Sequence, residues 1–238
     1  MAEFISYDPK RLHAIALISL EDIQDGVKEL ERCAKQGLKG AMIWGSPPAD
    51  KPYSSKIYDP FWQAASELHT PLSLHVITGK SKESQINFDE IASLYMNLIH
   101  EVQRSLTSLI FGGVLERFPK LTIVSAENDI GWFPHYMYRL DHAYDKFQAM
   151  LKEPLPMKPS EYVRQQVWGT FQDDAVGPAT YKLFGENNYM WASDFPHTDS
   201  TWPESLKVIE RDFASVPADV TDKILYANAA KLYRIDLN

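Results

Sequence analysis

A single cysteine, Cys33, leaves no partner for an internal disulfide and fits a reducing compartment. No apolar run approaches the roughly 18 residues that a bilayer span requires. Residues 1–10 carry no signal-peptide pattern, so a cytoplasmic protein with no membrane partner is expected. Positive charge is in the minority: 24 Lys and Arg face 32 Asp and Glu, for a net charge of -8. That balance argues against nucleic acid or an acidic membrane surface as the main partner. No glycine-rich phosphate fingerprint follows any strand-like run, which weakens a nucleotide-binding reading. Serine-nucleophile elbows, Cys-x-x-Cys pairs, sequence repeats and low-complexity tracts are also absent.

What the chain does contain is regular alternation. Of its 238 residues, 45% are hydrophobic, enough for a sizeable core. Six runs rich in β-branched and aromatic residues read as strands: Leu12–Leu20, Gly40–Gly45, Leu72–Ile77, Leu121–Ala126, Gln166–Phe171 and Tyr189–Ser193. Helical patterns fall between them, over Asp22–Gln36, Pro60–Leu68, Phe88–Phe111, Ile130–Leu151, Val176–Phe184, Pro203–Phe213 and Ala218–Leu232. Strand and helix in alternation imply parallel strands with helices packed outside. The expected architecture is an α/β, TIM-barrel-like (β/α) fold with six parallel strands. Two proline-bearing loops, 45–54 and 152–160, read as mobile rims, and the first is the better lid candidate.

Polar chemistry follows nearly every strand, as at the active end of a (β/α) barrel. His75 ends the third run and Asp194 follows the sixth, two groups suited to a divalent cation such as zinc. Each also has a plainer reading: His75 as a buried histidine bonded to a carbonyl, Asp194 as a helix cap. Glu127 after the fourth strand is a third candidate, as ligand, proton shuttle or hydrogen-bond partner. His197 could support the same centre or order its loop. Of Gln172, Asp173 and Asp174, at least one is expected to cap a helix. Trp44, Phe171, Phe195 and Trp202 could wall a pocket for a flat or unsaturated small-molecule substrate. Cys33 falls on the apolar face of its helix and reads as core.

Three segments, Phe111-Gly-Gly-Val-Leu-Glu-Arg-Phe-Pro-Lys-Leu-Thr-Ile-Val, Ile130-Gly-Trp and Trp191-Ala-Ser-Asp-Phe-Pro-His-Thr-Asp-Ser, resemble the amidohydrolase-2 family. That family comprises metal-dependent hydrolases and decarboxylases related to aminocarboxymuconate-semialdehyde decarboxylase. The resemblance implies a distorted (β/α)₈ barrel with one divalent metal, usually zinc. It implies His75 as the fifth-strand ligand and Asp194 as the eighth-strand ligand. Glu127 stands where many members carry a histidine. Arg139 resembles a helix arginine that in some relatives reaches a neighbouring subunit's site. The His-x-His pair of the family's first strand does not occur in this sequence. The six strands correspond to the family's last six, so residues 1–238 read as one barrel-like domain incomplete at its N-terminus. Either a second copy in a homo-oligomer (a dimer), or residues 1–11 with a rim loop, would cover the opened side. The expected activity is hydrolysis or non-oxidative decarboxylation of a small carboxylated or cyclic compound. The alternative is a catalytically impaired scaffold.

Overall fold

The computed structural model describes residues 1–80, 88–152 and 154–237. It begins with α1 (Ala2–Ser6), β1 (Ile15–Leu17), α2 (Ile23–Lys35) and β2 (Gly40–Trp44). Next come α3 (Asp59–Glu67), β3 (Leu72–His75), α4 (Ile91–Phe111), α5 (Val114–Arg117) and β4 (Ile123–Ala126). The second half holds α6 (Phe133–Phe147), α7 (Pro159–Gln166), β5 (Val167–Phe171), α8 (Val176–Ala179), α9 (Tyr181–Phe184) and β6 (Tyr189–Trp191). It closes with α10 (Ser205–Asp212), α11 (Ala218–Asp222), a π-helical turn over Lys223–Ala227, and α12 (Asn228–Tyr233).

The six strands form one parallel sheet in chain order, β1-β2-β3-β4-β5-β6. Among the described residues β6 is not paired with β1, so both are edges of an open sheet. All six expected strands are present, each shorter than its apolar run. Leu12–Leu20 contracts to three paired residues, because only those meet a partner in β2. No helix of the described residues is long and apolar enough to cross a membrane.

Side chains alternate across each strand and so divide into two layers. Outward residues such as Leu72, Leu74, Ile123, Val167 and Phe171 join the main core, under helices that contribute Leu30, Trp62, Leu106 and Phe133. Cys33 is buried there, as expected. The inner face carries a smaller cluster of Val124, Trp168 and Met190, which Ala229, Leu232 and Tyr233 of α12 cover. Tyr233 also bonds to Ser73 on that face. The end of α12 turns through a Schellman arrangement: Arg234 N–H reaches Lys231 O, Ile235 N–H reaches Ala230 O, and Arg234 adopts φ 52.

Three helices had no counterpart in the periodicity: α1, α5 and α7. α7 begins at Pro159, where the missing N–H has no intrahelical role, so this proline starts a helix rather than excluding one. The connector before it is partly anchored, with Leu155 buried and its carbonyl accepting from Tyr144; Glu153 lies outside the described residues. Loop 45–54 is pinned instead of lying free as a lid. Tyr53 is fully buried and donates to Trp44 O, and Ser54 N–H donates to Ser108 Oγ.

Asp174 holds the β4–α6 and β5–α8 turns together. Its Oδ2 accepts from Ile130 and Gly131 N–H, and its Oδ1 from Val176 and Gly177 N–H. This is the helix cap anticipated among residues 172–174. Hydrogen bonds to a charged group contribute roughly 1.5–3 kcal/mol each when broken singly. Asp174→Ala should therefore lower the urea-unfolding midpoint by an amount equivalent to at least that figure. A midpoint within experimental error of the parent would show that water replaces the carboxylate without loss.

Candidate metal and acid–base centre

The polar ends of β3, β4 and β6 meet at one point. In the parallel register Trp44 pairs with His75, and His75 pairs with Ala126, so Trp44 and His75 share the inner face. Gly45 lets the chain pass close to β3, since a Cβ there would lie 2.4 Å from His75 O. Thr78 secures the crossing by donating to His75 O and accepting from Gly45 N–H. Glu127 and Asp194 each leave their strands in left-handed conformation, at φ 59 and φ 57. These turns swing both carboxylates over the inner face. Thr170 fixes the first by accepting from Glu127 N–H at 2.9 Å.

His75 Nε2 lies 2.9 Å from Glu127 Oε2, while its Nδ1 lies 2.8 Å from Val76 O. Both ring nitrogens thus face acceptors. The Glu127 contact, then the carbonyl, raises the His75 pKa against the opposing effect of burial. His197 Nδ1 lies 2.9 Å from Asp194 Oδ1 and 3.8 Å from Glu127 Oε1. Burial first, and the Glu127 charge second, push the Asp194 carboxyl up, with His197 opposing them. Donor atoms of Glu127, Asp194 and His197 all lie within 4.8 Å of one another.

Asp194 Oδ2 is buried and has no hydrogen-bond partner among the described residues. An orphaned carboxylate oxygen is costly, and here the neighbouring Glu127 charge adds to that cost. This donor set of carboxylate oxygens and imidazole nitrogen fits a divalent cation. His75 adds a second sign of fit, because a ligating imidazole commonly donates its other N–H to a backbone carbonyl, and Val76 O is so placed. His75, Glu127, Asp194 and His197 are therefore the residues that could hold the ion. Both plain readings fall short: the His75 carbonyl bond accounts for only one nitrogen, and no backbone N–H among the described residues is capped by Asp194.

The aromatic candidates divide. Trp44 is half-buried beside the centre, with Lys80 Nζ 5.0 Å from its ring. Phe195 and Trp202 are exposed and meet edge to face at 5.2 Å on the loop after β6. Phe171 does not wall a pocket: it is 0% exposed and packs on Phe213 in the outer core. It lies one residue beyond the inward Thr170, and alternation sends it the other way. Arg139 is exposed on α6 and has no ion pair or hydrogen bond among the described residues. It lies on the outer helix layer, away from the inner-face cluster.

Three residues went unrecognised in the sequence. Tyr95, Asp129 and Asp199 line a small cleft with Glu127 and Gln172. Tyr95 Oη and Gln172 Nε2 both donate to Asp199 Oδ2 at 2.8 Å. Burial, then the charges of Asp174, Asp199 and Asp173, push Asp129 up to about 7. Asp129 could have been found, since it ends the same Ala-Glu-Asn-Asp run as Glu127. Tyr95 sits within α4 and has no local signal of this kind.

A family model described as Amidohydrolase matches residues 1–235. The chain belongs to the amidohydrolase family. Its relatives include a γ-resorcylate decarboxylase from Polaromonas sp., 24% identical, with 99% of this chain and 74% of that protein covered. A 2-amino-3-carboxymuconate-6-semialdehyde decarboxylase from Dictyostelium discoideum is also 24% identical, covering 82% of this chain and 54% of that protein. In fold, the chain is similar to 5-carboxyvanillate decarboxylase from Novosphingobium aromaticivorans, solved with manganese and 4-hydroxy-3-methoxy-5-nitrobenzoic acid. The TM-score is 0.82 and identity 23%, over 98% of this chain and 67% of that one.

Purified amidohydrolase chain dialysed against Mn²⁺ or Zn²⁺, then against metal-free buffer, should retain close to one ion per chain by plasma mass spectrometry. Asp194→Ala and Glu127→Ala should retain little, with unchanged far-ultraviolet circular dichroism. Full retention by both variants would place the ion elsewhere.

Proposed function

We propose that this chain is a metal-dependent decarboxylase of a small aromatic carboxylate. The observation that carries the reading is the convergence of Glu127, Asp194 and His197 within 4.8 Å, with His75 bonded to Glu127. Relatives named as decarboxylases support the reaction type over hydrolysis by activated water. Neither hydrolysis nor a catalytically impaired scaffold draws support from those relatives. Manganese in the 5-carboxyvanillate decarboxylase favours a divalent ion without a preference for zinc.

Loss of carbon dioxide from an electron-rich ring needs a proton at the carbon that bears the carboxylate. The C–C bond then breaks, its electron pair restores the ring, and carbon dioxide leaves. Asp194, beyond the end of β6 with its Oδ1 facing His197, is placed to deliver that proton. His197, at 2.9 Å from Asp194 Oδ1, is placed to return it. Glu127 holds His75 in position and sets the charge of the site. Phe195 and Trp202 offer faces to the ring from the rim, and Trp44 from below. A divalent cation held by Asp194, Glu127 and imidazole would supply the positive charge that binds and orients an acid substrate.

Association with a further copy of the chain belongs to the same proposal. Leu17, in the edge strand β1, is 68% exposed, and an unpaired edge with an apolar residue favours pairing. Sedimentation equilibrium should give a mass above 27.2 kDa; a monomer throughout would remove this part.

Metal-loaded protein should deplete γ-resorcylate or 5-carboxyvanillate with release of carbon dioxide. Asp194→Asn should slow that reaction by roughly 10²–10⁴-fold, and Phe195→Ala should act chiefly on KM. Stoichiometric metal with no turnover of either acid, or of related phenolic acids, would sink the decarboxylase reading.

A further inference from the structure

The end of the sheet opposite the carboxylates carries the reverse charge. His13 lies just before β1, Lys39 just before β2, and Arg234 just after α12. These three separated segments meet at the strands' amino ends, whereas Glu127 and Asp194 lie at the carboxyl ends. Together with Lys10, Arg11 and Asp236 they line a cleft of about 630 Å³. Four permanent cations less the one carboxylate leave a local charge of +3, in a chain whose net charge is -8. Concentrated positive charge against that background is not a consequence of composition.

Two further features belong to the same cleft. Arg234 stands at φ 52, in a turn position that favours glycine. Lys39 Nζ bonds to the Arg234 carbonyl, which ties the two cationic segments together.

We propose that this cleft binds a small phosphoryl anion. Two guanidinium groups and two ammonium groups line it, which suits a multiply charged tetrahedral oxyanion better than a single carboxylate. The phosphoryl group could arrive as a free polyphosphate or on a nucleotide, and both present the same oxygens. The inference is independent of the reaction at the other end of the sheet.

Calorimetric titration of the full chain with tripolyphosphate and with ATP, at ionic strength held constant with NaCl, tests it. One-to-one binding is expected, with a thermal midpoint that rises relative to chloride alone. Arg234→Gly should fold, because glycine suits the left-handed turn, and should weaken binding at least tenfold. Arg11→Gln should weaken it as well, while Asp194→Ala should bind as the parent does. Equal affinity for the two ligands identifies the free anion as sufficient; tenfold tighter ATP binding identifies a nucleotide, and both support the cleft. No binding above the chloride baseline overturns the proposal. So does parental affinity in both Arg234→Gly and Arg11→Gln, or loss of binding in Asp194→Ala, which would place the anion at the metal centre.

Discussion

The register of the parallel sheet decides which side chains can meet. Each strand pairs with its successor in the chain, and paired residues project to the same side. Trp44 is thereby aligned with His75, and His75 with Ala126. A slip of one residue in β3 would exchange His75 with Leu74, sending imidazole into the helix layer and leucine into the site. The outer core resists such a slip. Leu72, Leu74 and Ile123 are each 0% exposed, and exchanging them with the inner face would expose apolar surface and bury Ser73 and His75 among the helices. Packing on one side of the sheet thus holds chemistry on the other.

At the strand ends the register hands over to the turns. Left-handed backbone costs a residue with a Cβ roughly 1–2 kcal/mol, and both Glu127 and Asp194 adopt it. Such conformations persist where surrounding contacts over-determine them. For Glu127 those contacts are the Thr170 bond to its N–H and the Asp174 clamp a few residues on. For Asp194 they include the Thr201 N–H and Ser200 hydroxyl bonds to Ser193 O. Strain in these two turns positions the carboxylates, and its cost falls on loops built to bear it.

The legible part of this architecture follows from periodicity. Buried parallel strands are apolar on both faces, so all six stood out in the sequence, although their paired lengths did not, because pairing depends on a partner strand. His75, Glu127, Asp194 and His197 were legible as polar residues ending apolar runs. Phe171 was misplaced because position at a strand end does not specify a face, and one residue separates it from the inward Thr170. Helix α7 was hidden by reading Pro159 as a breaker instead of a first helical residue. Tyr95 was hidden for a different reason: its place beside Asp199 depends on how α4 lies across the mouth, a packing angle that no local pattern encodes.

Charge is distributed along the sheet axis, and this bears on how an acid could be bound. The mouth gathers Glu127, Asp129, Asp194 and Asp199, against which His75 and His197 offer at most two positive charges. At 4 Å and an effective dielectric of about 20, two like charges repel by roughly 4 kcal/mol. Burial first, then the charges of Asp174, Asp199 and Asp173, push the Asp129 carboxyl up to about 7; burial first, then Glu127, raises the Asp194 carboxyl. An acid substrate entering this mouth adds a further negative charge and is opposed by the groups that form the site. The side chains alone therefore favour a cation over an anion. On the decarboxylase reading, cation and acid must bind cooperatively, since each removes the repulsion that the carboxylates impose on the other. Burial and like charges act together on the carboxyls at this end of the sheet, and both raise Asp129 and Asp194.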